Sequence, residues 1–69
     1  MVTDWLTVEI AERVEELRRN EYSYRRVFET IKDEYPSLKI KDYPGIPHIL
    51  AREAAWLLQN HRANTHNED

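Results

Sequence analysis

Sixty-nine residues carrying 10 Lys and Arg, 13 Asp and Glu, three His, one Gly and no Cys make one small acidic domain, with no room for a second. The length excludes most enzyme architectures, and the missing Cys excludes disulfides and thiolate zinc sites. A net charge of -3 excludes indiscriminate nucleic-acid binding, which needs a surplus of cations, yet leaves a local basic patch open.

The first apolar stripe is Leu6, Ile10, Val14 and Leu17, with Ala11 beside it, which is the recurrence of an amphipathic helix. Thr7, or Thr3 with Asp4 if the helix begins earlier, can cap its start. Glu9 falls in the first turn, Arg18 and Arg19 in the last, and Asn20 suits the stop. A second helix is expected after a Ser23 cap: Tyr24, Val27, Phe28, Ile31 and Tyr35 share a face until Pro36 disfavours helix at Tyr35. Only Asn20, Glu21 and Tyr22 separate the two, so the chain must turn abruptly between packed neighbours.

Leu38, Lys39, Ile40 and Lys41 alternate in polarity, but a lone strand would have no partner within the chain. The stretch Ser37 to Pro47 therefore reads as a long extended loop, a candidate for pairing across a dimer. Pro47 suits the first position of a third helix ending near His61, with Ile46, Ile49, Leu50, Ala54, Leu57 and Leu58 as its buried face. Residues 63–69 lose apolar periodicity and are expected to form a disordered tail beyond a domain of residues 1–62. The expected fold class is all-α: a small three-helix domain with a long loop between its second and third helices.

Leu17, Arg18, Tyr22, Ser23, Tyr24, Arg25 and Val27 bring a family into view. They resemble the opening of helix-turn-helix domains of the recombinase, transposase and phage-terminase kind, where a first helix ends in L-R…G-Y-S-Y-R-E-I-A and leads into the second. The resemblance covers well under half of the chain and implies helix-turn-helix topology and DNA binding. This sequence departs from the pattern at Glu21, where the family has Gly, and at Phe28, where it has a small residue. The connection from Pro36 to Ile46 is also longer than the family's tight turn.

Independently of family, Arg25 and Arg26 fall in the first turn of the second helix, where the helix dipole disfavours cations. Two arrangements would offset that cost. The arginines and the free amides of the helix start can converge on a DNA phosphate, or Glu21 and Glu29 can pair with them on the surface. Lys39 and Lys41 would extend a basic strip if the loop folds back toward that side. On the third helix His48, Arg52 and Gln59 are left outside the buried stripe, and Arg and Gln suit guanine and adenine edges. Glu53, beside Arg52, works against phosphate.

His48, His61 and His66 match no compact metal-ligand spacing, and Ser23 and Ser37 are explained as a cap and a turn residue. No enzyme activity, metal or cofactor is expected. The aromatic content exceeds what so small a core can seat, so Trp5, Tyr22, Tyr43 and Trp56 are candidates for a protein contact surface, Trp5 alternatively folding over the open end of the core. In a chain this short, apolar burial and ordering entropy nearly cancel, so a homodimer is expected. There is no transmembrane-length apolar run, and Asp4 sits where a signal peptide needs a basic segment; a cytoplasmic protein without a membrane partner is expected. Two functions follow as expectations: a small DNA-binding regulator or accessory protein acting on double-stranded DNA as a homodimer, of a size that suits a phage or mobile element, or an adaptor or inhibitor that binds a protein.

Overall fold

The computed structural model describes residues 4–67, with side chains described through Ala63. The chain is all-α, with α1 at Val8–Arg19, α2 at Tyr24–Glu34 and α3 at Ile46–Asn67, and no strand among the described residues. Each early boundary has a local cause. Thr7 Oγ1 accepts from the Ile10 amide at 3.3 Å and Ser23 Oγ from the Arg26 amide at 3.2 Å, so both helix starts carry the side-chain caps that the sequence indicated. Tyr35 closes α2 directly before Pro36.

The turn between α1 and α2 is a Schellman motif. The Glu21 amide donates to the Arg18 carbonyl at 3.0 Å and the Tyr22 amide to the Leu17 carbonyl at 3.1 Å, after Asn20 as C-cap. Such a motif needs a left-handed residue just past the cap, and Glu21 holds that conformation with φ 67°. α2 then folds back along α1: Arg13 holds Glu34 at 2.6 Å, and the Tyr35 hydroxyl donates to Glu9 at 3.4 Å.

α3 packs against both members of this hairpin. The core is Ile10, Ala11, Val14 and Leu17 from α1, Val27, Phe28 and Ile31 from α2, and Leu50, Ala54 and Leu58 from α3. Phe28, where the resembled family has a small residue, fills the centre at 1% exposure. Trp5, Leu38 and Ile40 pack on the edge of this cluster, so Trp5 covers the core. The loop has no strand; Pro44 and Gly45 turn it into α3, with the Ile46 amide donating to the Tyr43 carbonyl at 3.1 Å.

α3 departs from its expected pattern in two ways. Its backbone stays helical to Asn67 rather than stopping near His61: nothing from Gln59 onward is a helix breaker, even though the apolar stripe has ended. The side chains of the expected tail, from residue 64 on, lie outside the described residues. Ile49, expected to be buried, points outward at 40% exposure. Apolar residues run almost all the way round this helix, so neighbours decide which of them is covered. No helix among the described residues is long and apolar enough to cross a membrane.

Candidate functional site

The α1–α2 turn gathers cations and aromatic rings. Arg18, in the last turn of α1, reaches over the turn, donates from Nη1 to the Tyr22 carbonyl at 2.5 Å and lays its guanidinium over the Tyr24 ring at 4.0 Å. The other flank of Tyr24 meets His48 of α3, with ring centroids 4.5 Å apart and tilted by 52°. Arg26 stacks in the same way on Tyr22, 4.4 Å from the ring centre. Arg25 stands exposed beside them. Tyr22 and Tyr24 thus each hold an arginine by a cation–π contact, which fixes the guanidinium without neutralising it.

Neither arginine of the α2 start is paired with Glu21 or Glu29. Among the described residues Arg18, Arg25, Arg26 and Arg52 have no carboxylate in ion-pair range. They surround the start of α2, whose first amides have no intrahelical acceptor, the Arg26 amide alone being taken by Ser23. An anion with several oxygens fits that chemistry.

A groove of about 340 Å³ opens between α1, α2 and α3, lined by Arg18, Tyr24, His48 and Arg52 over a floor of Val14, Ala51 and Ala54. Glu15, on its wall, is occupied elsewhere: it binds Arg62 at 2.9 Å and Arg19 at 3.0 Å. The hydrogen bond from Arg62 holds its carboxyl below the ordinary carboxylate range. Of the candidates for base contact, His48 and Arg52 share this groove, and Gln59 lies outside it.

Lys39 and Lys41 line a different groove, with Trp5, Leu38, Ile40, Tyr43 and Ile46, which has no residue in common with the first. The loop that carries them is tied to the end of α2 by Lys32 and Asp42 at 3.9 Å. Eight residues of α2, about 12 Å at 1.5 Å per residue, separate Lys32 from the helix start at Tyr24. Of the candidate contact aromatics, Tyr22 is half-buried beneath Arg26 and Trp5 is half-buried on the core, while Tyr43 and Trp56 stay exposed at 56% and 61%.

Sequence reasoning missed Arg18 and Tyr24. Arg18 read as a favourable charge at a helix end and Tyr24 as an apolar helix position; the clue was that both flank the same short turn, which forces them together. No grouping of His, Asp and Glu side chains suited to a metal ion occurs among the described residues. Comparison with protein-family models, with curated proteins and with solved structures finds no match.

Proposed function

We propose that the protein is a small DNA-binding regulator or accessory protein of helix-turn-helix type that meets double-stranded DNA with the start of α2, two copies acting together. The observation that carries this reading is the set of arginines left without carboxylates in a chain whose acids outnumber its bases. Arg25 and Arg26, with the free amides of the helix start, hold a backbone phosphate, and Arg18 supplies a second phosphate contact from across the turn. His48 borders the same approach and offers a ring edge to a base.

Glu29 and Asp33 follow Arg25 at four-residue spacing along the exposed side of α2. Their charge keeps the duplex from lying along the helix, so contact is made by its first turn. Such a footprint is short, and two half-sites are needed for useful affinity. Support also comes from the left-handed Glu21, which gives the turn the backbone shape for which the resembled family uses Gly.

The test is duplex binding across a salt series. Affinity falls steeply with salt, and replacing Arg25 and Arg26 by Ala flattens the dependence by about 1.8, two contacts at 0.9 each. No detectable duplex binding at low salt overturns the reading. Exposed Tyr43 and Trp56 favour a second one, a non-enzymatic module that binds a protein. In that case capture of a protein from extract depends on Trp56, and Trp56→Ala abolishes it.

A further inference from the structure

We propose that the groove between the three helices is a binding site for a small phosphate monoester with a compact apolar body, its phosphate held by Arg18 and Arg52. The two arginines line the groove from different helices, Arg18 from α1 and Arg52 from α3. Neither meets a carboxylate among the described residues. Arg18 gives Nη1 to the Tyr22 carbonyl, and its Nε and Nη2 find no acceptor among the described residues. The Tyr24 ring, 4.0 Å away, already orients this guanidinium, so part of the ordering cost of binding is met before a ligand arrives. Arg52 follows His48 by four residues, one helical turn, which sets both on the same side of α3.

Charge and shape together select the ligand class. Glu15 is the single acid among the lining residues, and Arg62 and Arg19 already hold it. The groove is therefore electropositive although the chain as a whole carries a net charge of -3. A phosphate monoester carries close to two negative charges at neutral pH and balances two guanidiniums; a carboxylate or a phosphodiester carries one. The floor of Val14, Ala51 and Ala54 offers no polar side chain. A wholly polar ion leaves that floor wet, whereas an apolar body removes it from water. The volume, about 340 Å³, is at the lower end of the size range of small-molecule sites, which suits a ligand with a single ring.

This inference does not rest on the DNA reading, because binding is measured without duplex. In an amide-resolved NMR titration with phenyl phosphate, the signals of His48, Ala51 and Arg52 shift saturably at millimolar concentration. Benzoate, which lacks a charge, and inorganic phosphate, which lacks the ring, each bind at least about threefold more weakly. Arg18→Gln and Arg52→Gln each weaken phenyl phosphate binding at least about tenfold. Arg25→Ala with Arg26→Ala, outside the groove, changes it by less than about threefold. Ala55→Leu, at an exposed lining position, narrows the groove and weakens phenyl phosphate binding while leaving inorganic phosphate nearly unaffected. Circular dichroism, unchanged in every variant because the replaced side chains are exposed, separates lost binding from lost folding. A titration that does not saturate overturns the proposal, as do Gln variants that bind as tightly as the unaltered chain. Benzoate or inorganic phosphate binding as tightly as phenyl phosphate overturns the ligand class. An equal loss from the Arg25 and Arg26 change and from Arg52→Gln also overturns the site, since it would mean attraction to the whole surface rather than to the groove.

Discussion

On the long flank of the hairpin, arginines are answered by carboxylates; at its turn, arginines are answered by rings. Arg13 bridges Glu16 and Glu34, and Glu15 bridges Arg19 and Arg62. At the turn Arg18 lies on Tyr24, Arg26 on Tyr22, and Arg25 on neither. A carboxylate cancels the guanidinium charge and occupies its donor edge, whereas an aromatic face orients it and leaves both available. Net charge is thus a poor guide to what such a chain can bind. Glu15, Glu16 and Glu34 each consume a cation on the flank, whereas the arginines of the turn keep their charge.

The largest expected effect tests that contrast directly. Arg25→Ala with Arg26→Ala lowers duplex affinity and flattens its salt dependence while leaving the melting temperature nearly unchanged, because no carboxylate loses its partner. Arg13→Ala does the reverse: duplex binding is retained and the melting temperature drops slightly, as for an exposed ion pair. Equal effects of the two changes on binding would mean that the turn is no more available than the flank. Thermal melts and a salt series on the same variants decide the matter.

A smaller effect concerns the turn itself. Glu21 is held at φ 67°, a conformation that costs a residue with a Cβ about 1 kcal/mol relative to Gly. Glu21→Gly therefore stabilises the fold by roughly a few tenths of a kcal/mol in chemical denaturation, the strain relieved slightly exceeding the loss from added backbone freedom. It also removes an acid next to Arg25 and Arg26, so duplex binding tightens slightly. A destabilised variant would show that the Glu21 side chain itself stabilises the turn.

Most of the helical framework was legible in the chain. Thr7, Ser23, Asn20 and the Tyr35–Pro36 step act through neighbours within four residues, so sequence contains their whole cause. What escaped depends on distance in space. Arg18 and Tyr24 meet because a Schellman turn brings them round, and His48 joins them only when α3 packs. Lys39 and Lys41 sit apart from the arginines because of the path of the loop, fixed by the Lys32–Asp42 tie, which no periodicity encodes. Ile49 was misread for a related reason: α3 offers more apolar residues than its neighbours can cover, and sequence shows the supply without the cover.

The smallest expected effect separates the two regions by pH. Hydrogen bonds from Arg13 to Glu34 and from Arg62 to Glu15 hold these carboxyls below their ordinary value of 4.5. A carboxyl depressed in the folded state adds stability that is present above its unfolded value and lost as pH falls through the folded one. Acidification below about 4.5 should therefore loosen the flank first, and Glu34→Gln should shrink the acid-dependent part of the melting curve because that group no longer titrates. The turn contributes nothing to this limb, since its arginines hold no carboxylate whose protonation could release them. A melting temperature that falls between pH 5 and pH 3 by the same amount in the unaltered chain and in Glu15→Gln with Glu34→Gln would place the acid sensitivity elsewhere, and the division between a paired flank and an unpaired turn would lose its energetic meaning.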